Sequence, residues 1–358
     1  MIDIPVATDP ETISPEWLTD VLQTSGTITA DTSVENFTFE PVGTGQVSNS
    51  FRVTPTWSSG GKGPKTFVFK VPSHDEASRT VGASIYNVEV SFYQTFASRL
   101  PIRTPKCHFA GIADNDLDFV LVLEDMAPAT QGDQMEGCSL DQARTAIREI
   151  TKLHAPTLND PALKEMGWLA KAQTHSAGFR SMLQMLYQGF RERYDGQIEP
   201  EIMAMCDRYY GRITELSDTD DDPFCLVHSD YRVDNILFAS DKGGEPICVV
   251  DWQTTTVASP LRDVSYFIGA GLHVEERRTH EEDLVRLYQE TMAGAGIKDL
   301  TFEKCWELYR LNSFAGLTTA VISAIIVERT ERGDEMFRTM ARRHGQQILD
   351  LDAEALLT

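Results

Sequence analysis

Two stretches near the middle of the chain, LVHSDYRVDNILF at residues 226–238 and ICVVDWQ at 247–253, constrain its fold more than any other feature. Each is apolar and strand-like at its flanks, with polar residues confined to what lies between or beyond. The first puts His228, Asp230 and Asn235 on one short loop, and the second ends an apolar strand on Asp251. A chain that folds this way brings carboxylate, amide and imidazole groups to the ends of buried strands, where each needs a partner.

Each residue has an ordinary structural reading. Asp230 could cap a turn, Asn235 could take a left-handed position and Asp251 could be a strand-end carboxylate. The set also has a chemical reading. Phosphoryl transfer asks little covalent help of a protein: an acceptor for the attacking hydroxyl's proton, and oxygen ligands that hold magnesium against phosphates. One carboxylate, an amide oxygen and a second carboxylate supply these parts.

The loop and the strand resemble the catalytic loop and metal-binding strand of the aminoglycoside phosphotransferase and choline-kinase-like family, relatives of protein kinases. The resemblance implies an α+β, two-lobe protein-kinase-like fold: an N-lobe five-stranded antiparallel sheet with one helix, and a mostly helical C-lobe. It implies that Asp230 is the catalytic base, that His228 braces the loop, and that Asn235 and Asp251 ligate magnesium. The cofactors implied are ATP and Mg, and the acceptor is a hydroxyl of a small molecule. The likeness continues through SPLRDVSYFI at residues 259–268, where Asp263 would tie down the loop backbone. Two departures stand out: Ser229 replaces a usual glycine, and Ala258-Ser259 replace a glycine-containing turn. Asp251-Trp252-Gln253 differs from the D-F-G of protein kinases and favours the small-molecule branch.

The first third of the chain carries a separate signal. Lys70 lies in TFVFKV, a strand otherwise apolar on both faces, and an ammonium buried there is costly unless paired. Glu89 interrupts the apolar stripe Ile85, Val88, Phe92, Phe96, Leu100 of the next helix, so its carboxylate faces the sheet. The two resemble the family's Lys–Glu pair, in which Lys70 holds the nucleotide's phosphates and Glu89 orients it. Between the first two strands, PVGTGQVSN offers Gly43 and Gly45 for a tight turn, and Ser48 and Asn49 for phosphate oxygens. Glu124 and Met126, at the end of the fifth strand, stand where the family binds adenine through its backbone.

Period-two patterns predict strands at 34–40, 50–57, 66–71, 106–113 and 119–123, with a capped helix at Ser14-Pro15-Glu16 before them. Domain limits follow: residues 1–29 an extension with a short helix, 30–126 the nucleotide-binding N-lobe, 127–139 a linker, and 140–358 the C-lobe. Helices are expected there at 140–155, 178–194, 201–216, 280–293 and 302–327, and in a terminal run to about Leu357. Within the C-lobe, His154 is read as a hydrogen-bonded core histidine. The aromatic residues Trp168, Phe179, Tyr187, Phe190 and Tyr194 suit either core packing or an acceptor-pocket wall.

Composition excludes several classes. The formal net charge of -22 is spread along the chain, with 8 Lys+Arg against 16 Asp+Glu in residues 1–125 and 24 against 38 beyond, so no basic surface for nucleic acid is expected. No membrane association is expected: the most apolar run, Phe314 to Val327, contains Thr318, Thr319 and Ser323 and is shorter than the roughly 20 residues a bilayer needs. The chain's start lacks the basic and apolar regions of a secretory signal. Six cysteines stand singly, as reduced thiols in a cytoplasmic protein would. Nothing in the sequence fixes an oligomeric state.

Overall fold

A computed structural model describes residues 5–7, 9–43, 47–170, 177–216 and 223–357. It divides into two compact units. One comprises residues 1–100, 104–127 and 251–253, and the other residues 101–103, 128–250 and 254–358.

The first unit is a sheet with a helix on each face. Helix α1 (Pro15–Thr24) begins where Ser14 Oγ accepts the Trp17 N–H, with Pro15 at its first position. The strands are β1 (Val34–Pro41), β2 (Ser48–Trp57), β3 (Phe67–Pro72), β4 (Cys107–Ile112) and β5 (Phe119–Glu124), and helix α2 (Glu76–Thr95) lies between β3 and β4. All neighbours run antiparallel in the order β1-β2-β3-β5-β4. Strand alternation sorts β3: Phe67, Phe69 and Val71 are fully buried in one core with Leu18, Val21 and Leu22 of α1. Lys70 must therefore face the other way, towards α2.

The second unit is mainly helical, with α3 (Leu140–His154), α4 (Gly167–Ala170), α5 (Ala177–Arg193), α6 (Pro200–Arg212), α7 (Leu261–Gly271), α8 (Val274–Gly294), α9 (Phe302–Leu311), α10 (Phe314–Ile326) and α11 (Glu331–Asp350). The segment 127–139, expected as a loose link, contributes strand β6 (Thr130–Gln131). Four short strands interrupt the helices after α6 and before α7: β7 (Cys225–Val227), β8 (Ile236–Ser240), β9 (Gly243–Val249) and β10 (Thr256–Ala258). Strand β6 pairs with β8.

Three expectations for this unit need correction. The single helix expected over 302–327 is two, because the Asn312 amide donates to the Leu308 carbonyl (2.8 Å) and to Ser259 Oγ (3.2 Å), closing α9 with a side chain. Helix α8 starts at Val274, six residues before the expected start at His280. The terminal helix ends at Asp350 and is followed by a 3-10 turn at Ala353–Leu356.

Helices α7, α10 and α11 meet around His344, which has no exposed surface. A methyl group on Gly316 would lie 2.1 Å from the His344 ring, and one on Gly269 2.0 Å from Gln347 Oε1, so only glycine admits this approach. Burial, reinforced by the Arg277 and Arg343 charges, lowers the His344 pKa to about 4 from an ordinary 6.5. The unfolded chain therefore binds a proton that the folded chain refuses between those values, and stability falls as pH drops through that window. From pH 7 to pH 5 this group should cost about 2 kcal/mol in chemical denaturation, and a His344→Gln chain should lose that much less over the same interval.

Among the described residues no helix is long and apolar enough to cross a membrane.

Candidate active site

In the first unit, Lys70 is the centre of a three-residue charge cluster. Its Nζ lies 2.9 Å from Glu89 Oε1, 2.7 Å from Glu89 Oε2 and 2.7 Å from Asp251 Oδ1. Glu89 is 1% exposed, and its Oε1 also accepts the Trp252 N–H at 3.3 Å. Burial works against the Lys70 charge, but Asp251 and Glu89 outweigh it and hold its pKa above the ordinary lysine value. Burial pushes Glu89 up in turn, against the pull of Lys70. Residues 251–253 join this unit through Trp252, whose indole stacks on Phe92 of α2 with ring centroids 3.9 Å apart and planes 5° from parallel. Asp251 itself takes a left-handed backbone conformation, φ 67°, which aspartate tolerates better than most residues but which is still uncommon outside glycine.

The remaining residues expected to bind nucleotide lie in the same unit. Gly43 has φ 81° and open space where a side chain would be. Gly45 lies outside the described residues. Ser48 and Asn49 open β2 and pair with Pro72 and Val71, beside the pair Ser50 and Lys70. Glu124 ends β5, its Oε2 accepting the Lys106 N–H at 3.0 Å, and Met126 is buried just beyond.

In the second unit, the loop from His228 to Asn235 is held from below by Asp263 of α7. Asp263 is fully buried and accepts the backbone N–H groups of His228 (2.7 Å) and Ser229 (2.8 Å), with His154 Nε2 at 3.2 Å. Burial alone would raise its pKa, but His154, the nearby His228 and the backbone donor hold it below the ordinary aspartate value. His154 is thus the core histidine expected, its Nδ1 3.0 Å from the Tyr288 hydroxyl. Ser229 sits at φ 69°, the conformation for which glycine would be the default. Two contacts hold it there: its N–H to Asp263, and Arg262 Nε donating to its Oγ at 3.0 Å.

His228 Nδ1 accepts the Asp230 N–H at 3.3 Å while Nε2 faces the Val250 carbonyl at 3.0 Å, which fits a neutral ring protonated on Nε2. The Asp230 carboxylate has three donors: Tyr266 Oη to Oδ1 at 2.7 Å, and Asn235 Nδ2 (2.8 Å) and Arg232 Nε (3.2 Å) to Oδ2. Arg232 also reaches Asp234 Oδ2 at 2.5 Å. The Asn235 amide nitrogen is committed to Asp230, so its oxygen is the atom left to face a ligand. Magnesium prefers hard oxygen donors and usually one or two carboxylates with phosphate and water. The Asn235 amide oxygen in the second unit and the Asp251 carboxylate in the first are each donors of that kind. Arg232 stands inside the loop two residues after Asp230, though the motif gives it no role there, and the available signal for Tyr266 was its place one turn after Asp263 on α7.

The ecdysteroid kinase-like family model matches residues 43–301. Among curated proteins, acyl-CoA dehydrogenase family member 11 of Gallus gallus is 26% identical over 182 residues, covering 48% of this chain and 21% of that protein. Its Homo sapiens counterpart is 33% identical over 76 residues, covering 21% of this chain and 10% of that protein. The chain thus spans about a fifth or less of the length of these relatives. Among solved structures, choline kinase from Cryptosporidium parvum aligns over 96% of both chains with a TM-score of 0.58 at 10% identity. Plasmodium vivax ethanolamine kinase aligns over 91% of this chain and 86% of its own with a TM-score of 0.54 at 10% identity. The fold is that of the small-molecule kinases.

Proposed function

Because the chain belongs to the ecdysteroid kinase-like family, we propose that it is a phosphotransferase that moves the γ-phosphoryl group of Mg-ATP to a hydroxyl of a small molecule. The observation that carries this reading is the buried Lys70 ammonium bracketed by Glu89 and Asp251. An ammonium held at a fixed place between two carboxylates suits the binding of phosphate oxygens.

Each residue then has a part. Lys70 binds the nucleotide's phosphates and Glu89 keeps the ammonium in place. Gly43 and Gly45, with Ser48 and Asn49, line the phosphates through the first turn, and the backbone at Glu124 and Met126 receives the base. Asn235 and Asp251 are the magnesium ligands; the metal, when bound, offsets the charge of the transferring group. A carboxylate offers about four lone-pair sites, and three at Asp230 are taken by Tyr266, Asn235 and Arg232. The fourth accepts the proton of the acceptor hydroxyl, and His228 braces the turn that presents it. Six free cysteines fit a reducing compartment, and we place the protein in the cytoplasm.

ADP release from Mg-ATP, measured across a panel of hydroxylated metabolites, tests the reading and finds the acceptor. One or more members of the panel should raise the rate above that with water alone. A protein that binds ATP equally with and without magnesium and releases no ADP with any acceptor would be a nucleotide-binding module instead.

A further inference from the structure

We propose that Tyr266 is a positioning residue for the phosphoryl transfer, holding the Asp230 carboxylate in one rotational state. This rests on the reading of Asp230 as the base. The argument begins with helix geometry: Asp263 and Tyr266 are three residues apart on α7 and project from one face. From that face α7 grips the loop twice. Asp263 fixes the backbone at His228 and Ser229, and Tyr266 fixes the side chain of the next residue, Asp230, at 2.7 Å. The base is thereby referenced to a single rigid helix whose residues 263–271 are all buried.

The choice of partner is informative. A buried tyrosine hydroxyl needs an acceptor, and a backbone carbonyl would serve. Tyr266, 1% exposed, donates to a carboxylate oxygen instead. With Asn235 and Arg232 both on Oδ2, Tyr266 is the donor on Oδ1, so it opposes rotation of the carboxylate about its last bond. The ring stays packed independently of the hydroxyl, with its centroid 5.3 Å from that of His344.

Tyr266→Phe removes one oxygen and keeps the ring, so the chain should fold with little change in melting temperature. The assay is ADP release from Mg-ATP by the full chain, first with water and then with the acceptor found by the panel. The expected result is a loss in kcat of roughly ten- to a hundredfold at unchanged KM for ATP. In an Asp230→Asn background the same change should have almost no further effect, because its route runs through Asp230. A Tyr266→Phe chain with wild-type kcat, or a full additional loss in the Asp230→Asn background, overturns the inference while leaving the base assigned. Undiminished turnover in Asp230→Asn overturns the reading beneath it, as does absence of ADP release from the wild-type chain.

Discussion

Turnover in an Asp230→Asn chain is expected to fall by about two to four orders of magnitude, the usual contribution of a positioned general base. The substitution is chosen for what it keeps. Asparagine preserves the shape of the side chain and one of its two acceptor oxygens, so it can serve Tyr266 or Asn235 but not both, while Arg232 retains its second carboxylate at Asp234, 2.5 Å away. The loss is on the order of one hydrogen bond. Folding should therefore be nearly intact, and so should ATP affinity, since the proposed phosphate-binding lysine is untouched. Initial rates of ADP release, paired with a melting curve and an ATP titration, separate these quantities. A rate within about twofold of the wild type would remove Asp230 from the chemistry.

The second large effect is on stability as well as activity. Lys70→Met leaves the fully buried Glu89 and the neighbouring Asp251 without the cation that both contact at 2.7 Å. Breaking a buried pair by removing one partner typically costs about 3–5 kcal/mol, because the charge left behind has no solvation. The melting temperature should drop accordingly, and the ATP-induced shift should vanish. Adding Glu89→Leu to Lys70→Met should restore much of the stability and none of the turnover, which distinguishes lost charge balance from lost phosphate binding. A Lys70→Met chain that melts with the wild type and still responds to ATP would show that the ammonium serves neither purpose.

The parts of the site that were legible in sequence are those whose information is local. His228, Asp230 and Asn235 share one loop, and a lysine inside TFVFKV is anomalous by strand patterning alone. What stayed hidden depends on partners far along the chain. The break between α9 and α10 is made by Asn312 reaching Ser259, a contact spanning 53 residues. The early start of α8 was masked because Arg277 faces inward, fully buried against Glu281 and Asp350, so a core position carries a charge and the apolar period fails. Tyr266 belongs to the same class: it looks like an ordinary core residue until Asp230, 36 residues away in sequence, is seen beside it. Arg232 is local, two residues after Asp230, and looks like an ordinary polar residue until its Nε is seen on that carboxylate. Ser229 is the converse case. Its departure from glycine is visible in sequence, whereas the contacts from Arg262 and Asp263 that hold its backbone are not.

The flat stack of Trp252 on Phe92 makes an apolar pair the anchor of a charged one. Asp251 is the residue immediately before the indole, Glu89 shares α2 with the ring that pins it, and Lys70 lies in the same unit. A smaller ring at either position would let the carboxylate slide off the ammonium with every ionisable group still present. On the proposed function, lesions at 92 and 252 are expected to act as lesions at 70 do, and a survey of inactive variants should sort these three positions together even though two of them carry no charge.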